Sequence, residues 1–206
     1  MIKAPEEGRI WEWRAFGHIS DRLAAKVHAY PIRMGISGLK GEDIYLISPA
    51  SDQNVKLRSS AAGTYLKFKL LLETRPGGFE LYRESVQYNY PFPISFEVLE
   101  EAARLLKVTL PDEALVSTSF SEDDSVGALA VSSPPAVRTD VKKVRSQYQF
   151  DGGWIEIGVV EFSRERVQTI SIHSQDLESV AQMVEKLEPG DELEVMNYIE
   201  ACRRWG

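Results

Sequence analysis

Charged and apolar residues alternate along two neighbouring segments of this chain, and this two-residue period constrains its fold more than any other feature. Lys56 and Arg58 alternate with apolar residues in the first segment, and Lys67 and Lys69 do so in the second. Because successive side chains of a β-strand point to opposite faces, each segment is predicted to be a strand with one apolar and one cationic face. The fold depends on which of these two faces points inward.

The same period recurs elsewhere in the chain, for example in "WIEIGVV" from Trp154 and in "VQTISIHS" from Val167. We predict seven or eight strands, joined mostly as hairpins through turns rich in glycine, proline and polar residues. Apolar residues recur at helical spacing in four other segments. These predicted helices span residues 20–30, 96–107, 176–187 and 191–204. Residues 117–137 are rich in serine, acidic at 122–124 and contain Pro-Pro near their end, and we predict chiefly a mobile loop there, with a short strand within it as the alternative.

Each predicted helix has an apolar face of its own, so the apolar strand faces are expected to pack against the helices. The polar strand faces then line an interior. This arrangement predicts an α+β fold, an eight-stranded antiparallel β-barrel with a polar, basic lumen and helices packed outside. The alternative is a half-exposed sheet whose lysines face solvent, which is the commoner meaning of such alternation. A basic lumen must be wet, paired with carboxylates or filled with an anion, since burying an unpaired charge is costly.

Composition excludes several classes of protein. The 206 residues suit a single domain, and the net charge of −7 argues against a general nucleic-acid or anionic-membrane surface. The single cysteine, Cys202, excludes an internal disulfide. No apolar run approaches the roughly 18 residues of a membrane helix, and the first ten residues lack a signal-peptide core. We therefore expect a cytoplasmic protein without a membrane partner.

The order of these segments resembles the CYTH or triphosphate tunnel metalloenzyme superfamily. The similarity runs from "EDIYLISPASDQNVKLR" through "YLKFK", "ELYRESVQ", "KKVR" and "GWIEIGVVEF" to "TISIHSQDLESVAQMVEKL". It covers residues 8–187 of one domain spanning 1–206, on which the C-terminal helix would pack. The resemblance implies an eight-stranded barrel around a charged tunnel. One wall would bind the triphosphate of a small polyphosphorylated ligand, and acidic residues would bind Mg²⁺ or Mn²⁺.

The chain departs from that family mainly in its acidic residues. The family's first strand reads Glu-x-Glu-x-Lys, and here Ile10, Glu12 and Arg14 take those places. After the position matched by Arg83 the family usually alternates acids, and here Ser85 and Gln87 take those places. His173 stands where the family has a metal-binding glutamate. The cationic half of the site is therefore expected to be retained and the acidic half depleted.

The resemblance and the alternation together give a set of anion-binding candidates. Arginine pairs with phosphate in a planar, bidentate geometry, and lysine supplies a compact point charge. The candidate phosphate-binding residues are Arg14, Lys56, Arg58, Lys67, Lys69, Arg83, Lys143 and Arg145.

Hydrolysis would require more than cations. Mg²⁺ prefers oxygen ligands, and a metal can shield phosphoryl charge and orient the attacking water. Glu12 and Glu156 are the candidate catalytic and metal-binding carboxylates, and Asp43 is a third candidate. His173 is a further candidate ligand for Mn²⁺, although a lone histidine is more often structural.

Three functions remain open at this point. The first is metal-dependent hydrolysis of inorganic triphosphate, thiamine triphosphate or a nucleotide, with adenylyl cyclase activity as a lesser variant. The second is a metal-independent module that binds polyphosphate or organic phosphate and has lost catalysis. The third is a non-catalytic scaffold barrel. The identity of the substrate and the oligomeric state are not encoded in any motif that we find.

Overall fold

The computed structural model describes residues 8–33, 37–60, 63–84 and 86–206. It contains five helices, namely α1 (Asp21–His28), α2 (Phe96–Leu106), α3 (Glu122–Ala130), α4 (Leu177–Leu187) and α5 (Tyr198–Trp205). The strands in these ranges are β1 (Arg9–Gly17), β2 (Leu39–Ile47), β3 (Asn54–Ser60), β4 (Gly63–Arg75), β5 (Phe79–Arg83), β6 (Asn89–Pro91), β7 (Ile94–Ser95), β8 (Ser119–Phe120), β9 (Val137–Phe150), β10 (Gly153–Glu161), β11 (Arg166–Ser174) and β12 (Leu193–Val195).

Eight of these strands form a closed antiparallel barrel. Their order is β11–β10–β9–β2–β3–β4–β5–β1, and β1 pairs back with β11 over the register Trp11↔Ser174 to Gly17↔Gln168. Strand β12 pairs with β1 and strand β6 with β4. The α+β class and the eight-stranded antiparallel barrel predicted from the sequence are therefore confirmed. Within the described ranges, the helices are all too short or too polar to cross a lipid bilayer.

The chain forms two compact units. The first unit contains the described residues of Met1–Gly41 together with Leu71–Arg83 and Lys142–Asn197. The second unit contains the described residues of Glu42–Leu70, Glu84–Val141 and Tyr198–Gly206. Each unit has a hydrophobic core of its own.

In the first unit, the core lies between α1, α4 and one face of the strands. Trp13, Ile155 and Ile172 alternate with charged or polar residues along their strands, and they pack with Val180 and the other apolar residues of α4. Ser20 accepts a hydrogen bond from the backbone N–H of Leu23 and so caps α1. The apolar strand faces of this unit therefore pack against helices, as the alternation predicts.

In the second unit, the core forms on the apolar face of β3 and β4. Leu57, Leu66 and Phe68 are at most 1% exposed, and they pack with Leu99 and Leu106 of α2. The intervening residues of the same strands carry the lysines and Arg58. The cationic face of this unit is therefore the strand face opposite the one that packs against α2.

Three local predictions were wrong. Residues 117–137 contain β8 and α3, and Ser121 with Asp124 forms a capping box at the start of α3. Phe120 and Leu129 of this segment are buried in the core of the second unit. Their burial stabilises an ordered structure that the serine-rich composition does not predict. The C-terminal helix begins at Tyr198 rather than at residue 191, because 193–195 add a strand to the edge of β1. The period-two pattern also predicts a single strand from Phe79 to Tyr90, but β5 ends at Arg83 and Val86–Tyr88 form a 3₁₀ turn.

Candidate functional site

The polar face of the second unit is assembled by strand register. In antiparallel sheets, directly opposed residues point to the same face. Asp43 lies opposite Arg58, Tyr45 lies opposite Lys56, and Lys56 lies opposite Lys67. Lys69 lies opposite Asn54 two positions further along β4. The structure thus brings four predicted phosphate-binding residues onto one face, namely Lys56, Arg58, Lys67 and Lys69.

Asp43 binds the cations at the end of this face where Arg58 lies. Its two carboxylate oxygens accept hydrogen bonds from Arg58 Nε at 2.7 Å and Arg58 Nη2 at 2.8 Å. Lys56 Nζ lies 3.4 Å from Asp43 Oδ2 and donates to the Tyr45 hydroxyl at 3.2 Å. Burial opposes the charge of Arg58, but the hydrogen bond and charge of Asp43 raise the pKa of the guanidinium. Asp43, the third candidate metal ligand, is thus engaged by two cations.

Glu84 holds the Lys67 end of the same face. Its carboxylate accepts a hydrogen bond from Lys67 Nζ. Burial opposes its charge, but the charges of Lys69 and Lys67, the hydrogen bond from Lys67 and the charge of Lys56 together lower the pKa of Glu84 to about 2. Burial lowers the pKa of Lys67, and Glu84 works against that effect. Glu84 is therefore ionised at neutral pH and acts as the counter-ion of these lysines.

The first unit has a polar face built in the same way from β1, β9, β10 and β11. Arg14 lies opposite Ser171, Glu156 lies opposite both Ser171 and Gln147, and Glu12 lies opposite His173. Along β9, the alternation places Lys143 and Arg145 on the Gln147 face. The predicted residues on this face are Glu12, Arg14, Lys143, Arg145, Glu156 and His173.

Arg14 connects the two candidate catalytic carboxylates. Its Nε donates to Glu12 Oε1 at 2.7 Å, and its Nη2 lies 3.7 Å from Glu156 Oε1. Its Nη1 donates to the Thr169 hydroxyl at 3.2 Å. Glu12, Arg14 and Glu156 are each at most 5% exposed, so this is a buried ionic network.

Glu156 also binds a second arginine. Arg145 Nη1 and Gln147 Nε2 each donate to Glu156 Oε2 at 2.9 Å. Burial opposes the charged carboxylate, but Arg14, Arg145 and His173 together with the Gln147 hydrogen bond lower the pKa of Glu156 to about 2. Glu156 therefore functions in this network as a charged anchor and is ionised across the ordinary pH range.

His173 is held on three sides. Its Nδ1 lies 3.5 Å from Glu12 Oε2, and its Nε2 lies 2.8 Å from the Ser171 hydroxyl. Its ring stacks on Trp154 with centroids 4.8 Å apart and an interplanar angle of 6°. Both ring nitrogens therefore have polar neighbours within the protein.

Glu80 is a buried carboxylate on this face that our sequence reasoning did not select. It lies opposite Glu12 in the β1–β5 register. Asn197 Nδ2 donates to its Oε1 at 2.7 Å, and the Tyr82 hydroxyl donates to its Oε2 at 2.8 Å. The alternation in "FELYR" could have identified it, because Phe79 and Leu81 form the apolar face of this strand and Glu80 therefore lies on the polar face.

Arg83 is not brought together with these residues. It lies opposite Arg9 and shares its strand face with Leu81 and Trp11, which lies partly buried against the first core. Glu80 and Tyr82 occupy the other face of β5. The reason is register, since β5 places its even-numbered residues on the face of Glu12. Gln87 is exposed, and Ser85 lies outside the described residues.

The candidate ligand atoms, as they are arranged in this structure, do not fit a divalent metal ion. Glu12 and Glu156 are joined through Arg14, so a guanidinium lies where their oxygens would have to share an ion. Over residues 8–33, 37–60, 63–84 and 86–206, no three side chains among His, Cys, Asp and Glu are grouped so that they could hold a metal. A Mg²⁺ or Mn²⁺ ion would require Arg14 to move away from at least one of the two carboxylates.

The closed eight-stranded antiparallel barrel is a fold that this chain shares with several solved structures. One solved structure with this fold is that of a proposed adenylate cyclase from Bacillus halodurans. Its sequence is 13% identical to this chain, and the match covers 94% of this chain and 98% of that chain with a TM-score of 0.50. A proposed adenylyl cyclase from Hippeastrum with a dominant triphosphatase activity has 14% identity, coverage of 95% of each chain and a TM-score of 0.50. No protein-family model matches the chain, and neither does any curated protein sequence.

Proposed function

We propose that this protein binds small molecules that carry a triphosphate group, and that the cationic face of the second unit is the phosphate-binding surface. The observation that carries the proposal is the pair Lys56 and Lys67. They lie directly opposite each other on β3 and β4 and are only 5% and 7% exposed.

Like charges that face each other across two strands are destabilising, and burial increases that cost. Two buried ammonium groups at this spacing therefore require anions, which Asp43 and Glu84 supply within the protein and which a bound phosphate would supply in a complex. Arg58 and Lys69 extend the positive surface along both directions of the same face. A chain of phosphates offers several negatively charged oxygens along a line, which suits such a row of donors.

Arg14, Lys143 and Arg145 are the remaining phosphate-binding candidates, and all three lie on the polar face of the first unit. Arg14 lies opposite Ser171, Lys143 opposite Val160 and Arg145 opposite Gly158, so none of these pairings opposes two cations as Lys56 and Lys67 are opposed. Lys143 is 6% exposed. We propose these residues as a secondary set, and we omit Arg83 because it lies on the other strand face.

Binding is tested by thermal unfolding with inorganic triphosphate. A ligand that binds only the folded state raises the melting temperature. Because Arg14 joins the candidate metal ligands, we expect the same increase in the presence of EDTA and in the presence of Mg²⁺. An increase that required Mg²⁺ would contradict metal-independent binding. The absence of any increase with triphosphate, pyrophosphate or nucleoside triphosphates would contradict the proposed function.

Hydrolysis of the bound triphosphate is the second candidate function. The triphosphatase activity of the Hippeastrum protein with the same fold favours it. The test is phosphate release from inorganic triphosphate, thiamine triphosphate and nucleotides with Mg²⁺ or Mn²⁺. Release no greater than that of a Glu12→Gln control would leave binding as the function.

A further inference from the structure

The two carboxylates that neutralise the cationic face of the second unit are held in different ways. Asp43 lies within β2, is 2% exposed, and is fixed by two hydrogen bonds from Arg58 on the neighbouring strand. Glu84 lies one residue beyond the end of β5 and has a side chain that is 39% exposed. Strand pairing therefore constrains Asp43 but does not constrain Glu84.

Glu84 nevertheless interacts with three lysines of this face. Lys67 donates a hydrogen bond to its carboxylate, and Lys56 and Lys69 also act on it through their charges. These lysines belong to the face on which the proposed phosphates bind. A carboxylate oxygen and a phosphate oxygen accept the same kind of charge-assisted hydrogen bond from an ammonium group. Glu84 and a phosphate therefore compete for the same donors.

We propose that Glu84 is a displaceable internal counter-ion that occupies part of the phosphate-binding face and leaves it when a ligand binds. The inference rests on the proposed function, since it concerns ligand binding at the same lysines. In the absence of ligand, Glu84 offsets the repulsion between Lys56 and Lys67. On binding, a phosphate takes over Lys67, and the half-exposed carboxylate moves into water. Breaking the bond between Lys67 and Glu84 costs the same free energy for every phosphate ligand. Only a ligand with several phosphates makes enough other contacts to offset that cost and bind well.

The experiment is calorimetric titration of inorganic triphosphate into the full-length chain in EDTA, with wild type and Glu84→Gln compared. We expect the variant to bind about tenfold more tightly, which corresponds to about 1.4 kcal/mol. Glu101→Gln is the matched control, because Glu101 belongs to the same unit and pairs with the exposed Arg104. This control removes one negative charge without touching the lysines, and its affinity should equal that of wild type. Circular dichroism melts establish that each variant is folded.

A double-mutant cycle with Lys67→Met separates local competition from a general change of charge. If Glu84 acts through Lys67, the gain in affinity from Glu84→Gln shrinks in the Lys67→Met background. An undiminished gain, or an equal gain in Glu101→Gln, overturns the inference. So does an unchanged or weaker affinity of Glu84→Gln when wild type binds triphosphate, and that result leaves the proposed function intact. Binding by Glu84→Gln alone supports the inference, and binding by neither protein overturns both proposals.

Discussion

Lys56 and Lys67 lie directly opposite each other on adjacent strands, and both side chains are almost completely buried. Each lysine is neutralised by a carboxylate from a different part of the chain, Asp43 for Lys56 and Glu84 for Lys67. Such an arrangement is poorly explained by stability, because well-packed apolar residues usually serve a protein interior as well as a buried ion pair does. The arrangement therefore supports the proposal that this face accepts anions.

The first prediction concerns Lys56. Replacing it with methionine removes one of the opposed charges while Asp43 keeps both hydrogen bonds from Arg58. We therefore expect Lys56→Met to bind inorganic triphosphate at least about tenfold more weakly, and its free energy of unfolding to stay within about 1 kcal/mol of wild type. Calorimetric titration and urea unfolding measure the two quantities. Lys142→Met, at an exposed position, is the control that should bind normally.

The second prediction concerns Asp43. Asp43→Asn leaves Arg58 and Lys56 without their carboxylate, so we expect the free energy of unfolding to fall by roughly 3 kcal/mol. The matched control is Asp140→Asn, because Asp140 pairs with Arg138 at an exposed position and should cost less than about 1 kcal/mol. Urea unfolding measures both values. Equal losses of unfolding free energy in the two variants would show that the buried ion pair contributes no more to stability than the exposed one.

The third prediction concerns Arg14. Arg14→Ala removes the cation that joins Glu12 and Glu156, and we expect a loss of stability of about 3 kcal/mol. The two carboxylates would then be available to a divalent ion, so Mn²⁺ should raise the melting temperature of the variant more than that of wild type. Arg22→Ala breaks an exposed pair with Glu188 and should show no such gain. An equal effect of Mn²⁺ on wild type would mean that Arg14 does not block metal binding.

The fourth prediction concerns acid stability. The pKa of Glu156 falls from an ordinary value of 4.5 to about 2 in the folded protein. The unfolded chain therefore binds more protons than the folded protein between these values, so the stabilisation is complete above about pH 4.5 and is lost as the pH falls to about 2. The shift corresponds to roughly 3 kcal/mol. In Glu156→Gln, the free energy of unfolding should depend less on pH in this window, as urea unfolding at several pH values would show. An unchanged slope would contradict the assignment.

The alternation of residues is enough by itself to determine the strand faces. Lys56, Arg58 and Lys67 lie on one polar face, and Glu12 and Arg14 lie on another, because side chains of a strand always alternate. The order of these segments was also sufficient to predict the closed antiparallel barrel. The strand faces depend only on local periodicity, whereas the closed barrel was implied by the family resemblance and depends on the non-local pairing of β1 with β5 and β11 and of β9 with β2.

Register and strand ends were decided by the tertiary structure. The pairing of β5 with β1 places Glu80 opposite Glu12 and turns Arg83 to the other face, and the end of β5 leaves Glu84 beside Lys67. The core likewise made residues 117–137 into a strand and a helix through Phe120. Alternation in "FELYR" separates Glu80 from Arg83, but no local pattern encodes which distant residues pack or pair with either face. Alternation gives the faces of a strand, and long-range contacts decide which charges meet there.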